Sequence, residues 1–271
     1  MRRVSSWREV ADADFAVPGG PDLGGPDLDG LATELAEALA DPDPAVRDGP
    51  AYAVLATWLE RGVLDAQLAS LGDTMMARFR DPRIQARTFA PLVLAWVVER
   101  GGFDSRWVEA FEHWYPAETD VRGYDDALGW LHAVAHGADL LGVLGRHPQV
   151  APEQMLVLAA RRMLADTQYV WRDQEDDRLS YAIALTLGRP ELTVAQLTTW
   201  LDLIDERFAT GEPGPVPAYA SNSMRTLRML YLLADRGVRA TPGGAAEPLP
   251  HRDEVKERLA RTLSAVAWFA G

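Results

Sequence analysis

The chain has no cysteine among its 271 residues and one lysine, Lys256. The first absence removes disulfide frameworks, thiolate zinc sites, thiol nucleophiles and iron–sulfur ligation. The second confines Schiff-base chemistry to the end of the chain, where it is not expected. No window approaches the run of about 20 apolar residues that a membrane span needs. Arg2 and Arg3 are not followed by the apolar stretch of a signal peptide. Also missing are a phosphate-cradling glycine loop, a Gly-x-Ser-x-Gly elbow and a dinucleotide fingerprint. With 27 basic side chains against 40 acidic ones the net charge is −13, which repels phosphate and makes nucleic acid and anionic membranes poor partners. A cytoplasmic globular protein is the expectation, and its length suits one large domain.

Residues 1–30 read as a short helix followed by an N-terminal arm, partly ordered at most. Between Pro18 and Gly30 the chain is Pro, Gly and Asp around two copies of Pro-Asp-Leu, at 21–23 and 26–28. Such a segment has little apolar area to offset its ordering entropy, although Leu23 and Leu28 could pin it. From Leu31 to the end, apolar residues recur at spacings of three and four, and no alternating strand stands out. The pattern predicts eleven helices: 31–40, 45–61, 64–79, 83–100, 105–115, 125–146, 151–166, 176–188, 193–209, 218–236 and 253–269. Asp43-Pro44 and Asp81-Pro82 read as N-caps followed by proline in the first turn. Glu60-Arg61-Gly62, Glu99-Arg100-Gly101 and Asp235-Arg236-Gly237 read as helix ends, with a cation near the carbonyl pole and a glycine beyond it. The loops 210–216 and 241–250 separate the last helices without requiring a second domain.

These signals repeat. Asp43-Pro44 to Trp58 matches Asp81-Pro82 to Trp96 at constant spacing, and Glu-Arg-Gly follows in both after one insertion. That interval falls just short of the helical-pair repeats of HEAT and armadillo proteins. The expected fold is therefore all-α: a right-handed HEAT/armadillo-like solenoid of stacked helical hairpins over 31–271, with a concave inner surface. The register makes Trp58 and Trp96 equivalent core residues, as Trp268 also looks to be.

Chemistry concentrates in two places. In a helix over 125–146, His132, His136 and Asp139 would project from one stripe, flanked by Gly129, Ala133 and Gly137. Leu131, Val134, Ala138 and Leu141 would face the core. Two glycines beside two histidines mean that something approaches the backbone closely, and that could be the neighbouring helix. Three readings stay open: hydrogen-bonded core histidines with Asp139 fixing a tautomer, the lining of a ligand pocket, or a divalent metal held by His132 and His136 with a carboxylate from elsewhere. The second place is Tyr169–Arg178, where the acids suit a helix N-terminus and need no function to explain them. Glu175 or Asp176 could alternatively meet the histidines and act as ligand or base. Trp114, Trp130 and Trp171 lie near these polar clusters and could wall a pocket.

Arg47-Asp48, Ala51-Tyr52 and Leu55–Trp58, then Arg87–Ala90, Arg122–Tyr124, Gly129-Trp130, His132–Asp139 and Glu175–Leu179 together resemble the bacterial DUF2785 family, over roughly residues 5–210. The resemblance implies an all-helical body and brings no activity with it. The family usually has Gly-Lys before the Gly-Trp, where this chain has Ala127-Leu128, and glycine before the Glu-Asp pair, where it has Gln174. An activity resting on that lysine would be altered here.

The first expectation is a binding module whose concave face holds a small molecule or peptide, neutral or cationic, through Arg122, Tyr124, Trp130, His132, His136, Asp139, Trp171 and Arg178. The second is a metal-assisted hydrolase or lyase using His132, His136, Asp139, Glu175 and Asp176; no cofactor is expected apart from the divalent metal that this second reading would use. The third is a protein–protein scaffold. The oligomeric state stays open.

Overall fold

The computed structural model describes residues 6–18, 27–211 and 214–267. It is built of helices: α1 Trp7–Asp12, α2 Leu28–Ala38, α3 Pro44–Val46, α4 Tyr52–Glu60, α5 Leu68–Arg78, α6 Ile84–Glu99, α7 Ser105–Ala117, α8 Ala133–Arg146, α9 Pro152–Leu164, α10 Glu175–Leu187, α11 Val194–Thr198, α12 Asp202–Ala209, α13 Ala218–Arg236 and α14 Arg252–Ser264. One hairpin, β1 Tyr124–Asp125 and β2 Gly129–Trp130, interrupts them. Among the described residues no helix is long and apolar enough to cross a membrane.

The helices pack in two rows. In one, α4 touches α6, α6 lies on α8, α8 on α10 and α10 on α13; in the other, α2 touches α5, α5 touches α7 and α7 touches α9. Pairs such as α5 with α6 and α8 with α9 join the rows across a core that includes Trp58, Phe111, Tyr115 and Leu141. The expected core face is met: Val134, Ala138 and Leu141 of α8, and Leu131 just before it, are fully buried.

The capping signals translate well. Asp43 accepts from the Ala45 amide, and Gly62, Gly101 and Gly237 all take positive φ. Asp81 accepts from the Arg83 amide, and α6 starts one residue later, at Ile84. Residues 6–18 of the expected arm are tied to the body. Ser6 caps α1, Trp7 sits edge-on to Trp58 at 6.0 Å, and the Trp58 indole donates to the Phe15 carbonyl at 2.8 Å. The first Pro-Asp-Leu copy lies outside the described residues, while Asp27 and Leu28 of the second are the cap and first residue of α2. Trp268 also lies outside them.

The repeat register needs correction. Arg47 and Arg87 make the same contact, each donating Nη1 to the carbonyls of an Asp-Pro pair, Asp41-Pro42 and Asp81-Pro82. The arginines are 40 positions apart, whereas the C-terminal glycines Gly62 and Gly101 are 39 apart. A π-helical turn at Arg47–Ala51 accommodates the extra residue, and Pro50 inside it has no amide to donate. Trp96 is 38 positions after Trp58, so it misses the equivalent place by at least one residue, a rotation of about 100°. Trp58 is buried in the core, while Trp96 is half-buried and faces a cavity.

The helix expected over 125–146 begins only at Ala133. Asp125 folds its carboxylate onto the amides of Ala127 and Leu128, Gly129 takes φ +71° and His132 takes φ +49°. A side-chain-capped turn and two left-handed residues cannot continue an α-helix. Within α8, Gly137 is explained by packing: a Cβ there would collide with the Tyr115 ring, whose hydroxyl donates to the Val134 carbonyl at 2.7 Å. Gly137→Ala, stabilising at an open helical position, should here lower stability by about 1–3 kcal/mol through overpacking. Thermal denaturation checks the sign.

Candidate functional site

The sequence candidates divide between two places, an edge where the hairpin crosses the helix starts and a cavity on the α4–α6–α8–α10 row. At the edge the organising group is Arg47, which has no exposed surface. Its Nε donates to Asp48 at 2.7 Å, Nη1 to the Asp41 carbonyl at 2.8 Å, and Nη2 to the carbonyls of Leu128 and Trp130. Asp48 in turn accepts from the Trp130 amide at 3.1 Å. Arg122 braces the other side, paired with Asp120 at 2.6 Å and with Asp125. Both carboxylates are its partners within the hairpin and the segment before it.

From this hairpin a file of rings runs inward. Tyr124 meets Trp130 at 5.0 Å, Trp130 stacks on His132 at 4.4 Å with 5° between planes, His132 lies 5.6 Å from His136, and His136 meets Phe89 edge-on at 5.0 Å. The histidines are neighbours, but not as one helical stripe, because His132 is the left-handed residue before α8. His136 is 8% exposed, and its Nδ1 donates to the Thr88 carbonyl at 3.0 Å, an acceptor that requires the proton on that nitrogen. Thr88, and not Asp139, fixes the tautomer. Burial, with His132 and two arginines adding to it, lowers the His136 pKa to about 3. The ring is neutral at physiological pH.

His132 faces Glu175. Its Nδ1 stands 3.8 Å from Glu175 Oε1, too far for a direct hydrogen bond, and neither atom has another partner. Glu175 has no exposed surface, and its Oε2 accepts from the Asp173 amide at 2.8 Å. Burial alone would raise this carboxyl, but His132 and backbone amides outweigh it and hold the group below the usual carboxylate range. Gly123 is obligatory opposite it, since a Cβ would collide with Glu175 Oε1 and Asp173 Oδ2. Gln174, immediately before, is left-handed at φ +65°. Left-handed non-glycine residues thus cap both α8 and α10, as His251 also caps α14. A carboxylate behind an imidazole can orient it as a proton acceptor. Asp176 does not join them; it pairs with Arg225 at 2.7 Å. Among the described residues no three His, Asp or Glu side chains are grouped to hold a metal ion.

Asp139 lies away from the histidines' contacts, in a two-pronged pair with Arg178 whose Nε–Oδ1 distance is 3.1 Å. Burial raises the Asp139 pKa and Arg178 opposes that rise. The pair lines a cavity of about 280 Å³ with Tyr52, Trp96, Glu99 and Arg146. The Trp96 indole donates to the Tyr52 hydroxyl at 3.2 Å, fixing both rings. Sequence reasoning missed these two rings as cavity lining; the one-residue register error assigned Trp96 to the core. Trp171 does not reach the cavity. It is 1% exposed, its amide donates to Asn222 at 2.9 Å and its carbonyl accepts from Arg225. Trp114 borders a different opening of about 900 Å³, between α5 and α7.

Two measurements probe the edge. An unfolded histidine takes up its proton near pH 6.5 and folded His136 only near about 3. Between these values the unfolded state binds more protons, so stability is intact above the window and falls as pH drops through it. At about 1.4 kcal/mol per unit, the wild type should lose roughly 5 kcal/mol across the whole window, about 3–4 kcal/mol of it by pH 4. His136→Gln should show a shallower acid slope in denaturant titrations run from pH 7 to 4. Gln174→Gly should relieve a left-handed residue at some entropic cost, a net gain on the order of 1 kcal/mol and about 2–4 °C in Tm.

Compared with known proteins, the chain matches a family model described as a protein of unknown function (DUF2785) over residues 75–232. The match begins within α5 and ends within α13, so it includes the hairpin, both histidines and Glu175, but not the Arg47–Trp58 segment. No curated protein and no solved structure matches the chain. Residue Gln174, where the resemblance expects glycine, is the residue that the backbone holds at positive φ. On the extent of that family match, the chain belongs to the DUF2785 family.

Proposed function

We propose that the protein is a helical-repeat binding module, a right-handed HEAT-like solenoid whose inner face takes a small neutral or cationic molecule, or one side chain of a peptide, in the Asp139–Arg178 cavity. The observation that carries this reading is the placement of that ion pair: a carboxylate and a guanidinium stand side by side in a hollow of about 280 Å³, between the fixed rings of Tyr52 and Trp96. Convergent polar groups on aromatic walls are the usual composition of a small-ligand pocket. The two-row packing supports the solenoid reading, since each hairpin buries its apolar stripe against the next. A net charge of −13 disfavours anions, and Asp139 supplies an acceptor for a donor-bearing ligand. A metal-assisted hydrolase or lyase at the histidines finds no third ligand among the described residues.

A thermal-shift screen of small amines, amino acids and short peptides tests the reading on wild type, Asp139→Asn and Trp96→Ala. A true ligand at about 100 times its Kd should stabilise the wild type by about 2.7 kcal/mol. Most of that shift should vanish in both variants. Failure of every compound, or hits that keep their full shift in both variants, would overturn it.

A further inference from the structure

Tyr124 and Trp130 are 43% and 41% exposed, yet they belong to one of the most firmly tied loops of the molecule. They are cross-strand partners, held from below by Arg47 and Asp48 and from the side by Arg122. One face of Trp130 is covered by His132, stacked at 4.4 Å and 5°. The tryptophan is therefore fixed while remaining 41% exposed, and the Tyr124 ring stands across it at 74° with centroids 5.0 Å apart. The result is a preformed corner of two aromatic walls. Isolated exposed aromatics are ordinary, but two in contact on a braced hairpin need little further ordering to bind.

The unpaired charge around the corner is negative. Asp126, in the turn joining the strands, is exposed and forms no ion pair among the described residues. The nearby cations are already committed: Arg122 to Asp120 and Asp125, Arg47 to Asp48. Behind His132 stands the buried carboxylate of Glu175. Aromatic faces attract cations through their quadrupole, and this electrostatic setting adds to that attraction. An anion would be repelled, and a neutral apolar group would gain nothing from the surrounding carboxylates.

We propose that the Tyr124–Trp130 corner binds an alkylated ammonium ion, a methylated amine carried by a small molecule or by a modified lysine side chain. Two open aromatic walls suit a bulky, weakly hydrated cation better than a guanidinium, which favours a paired carboxylate. The corner shares no residue with the Asp139–Arg178 cavity and does not depend on the function proposed for it.

Calorimetric titration of the full chain with choline, and with its neutral isostere 3,3-dimethylbutan-1-ol, decides the matter. Choline should bind at least tenfold more tightly than the isostere. Trp130→Ala should abolish binding, Trp130→Phe should weaken it several-fold while keeping the stack on His132, and Trp96→Ala should leave it unchanged. A short peptide bearing one trimethyl-lysine, compared with its unmodified form, identifies the source: tighter binding than choline points to a protein tail, equal binding to a free small cation. Equal affinity for choline and isostere overturns the proposal. So does unchanged choline affinity in Trp130→Ala, absence of binding by either methylated probe, or loss of binding in Trp96→Ala but not in Trp130→Ala. The last result would move the ligand to the inner cavity.

Discussion

A guanidinium with no access to water must find protein acceptors for its donors, and the way Arg47 meets that demand shapes the functional end of the molecule. Its partners are drawn from three places: the adjacent Asp48, the carbonyls of the Asp41-Pro42 turn, and the carbonyls of Leu128 and Trp130 more than 80 residues away. The π-helical turn at Arg47–Ala51 belongs to the same arrangement, since the residue it adds lies at the point where Arg47 enters the core. Because the hairpin's own carbonyls are the acceptors, the hairpin cannot drift without stranding a buried charge. The position of Trp130, and through it the stacking of His132, follows from that constraint.

The edge and the cavity use buried polarity differently. At the edge, His136 is kept neutral by burial and spends its one ring proton on Thr88, so it serves as a spacer between His132 and Phe89. Glu175 remains ionised although it is buried, held by backbone amides and by the imidazole opposite. In the cavity, Asp139 and Arg178 compensate each other beside solvent, where an incoming group can compete for either partner without leaving a dry, unpaired charge. The first arrangement holds groups in place; the second leaves them available.

Much of the helical body could be read from local chemistry. Asp43, Gly62, Gly101 and Gly237 do at the helix ends what their side chains or lack of them permit. The buried face of α8 followed from spacing alone, since Val134, Ala138 and Leu141 all lie inside, as does Leu131 just before it. The failures came from features that periodicity cannot carry. Residues 125–132 keep a helix-like apolar rhythm, but Asp125 satisfies two amides with its side chain and the backbone at Gly129 and His132 turns left-handed. Trp96 was displaced by one inserted residue, enough to exchange core for cavity. His132 and His136 still come together through the spacing of four read from the sequence, because His132 is the N-cap of α8 and its carbonyl accepts from the His136 amide.

The departure at Gln174 connects these observations. A glycine at a left-handed position costs the folded state nothing, whereas a glutamine there retains strain unless surrounding contacts hold it. Here those contacts are severe. Gly123 closes against Glu175 and Asp173, the Asp173 amide is bonded to Glu175, and His132 faces the same carboxylate from the start of the neighbouring helix. Strain at His132 and at Gln174 is thus balanced across one buried carboxylate whose second oxygen is left without a hydrogen-bond donor. A fold that needed only to pack α8 against α10 could do so with a neutral pair and relaxed caps. An ionised group and an imidazole 3.8 Å apart, beneath a fixed tryptophan, instead tie the start of α10 to the residue that caps α8.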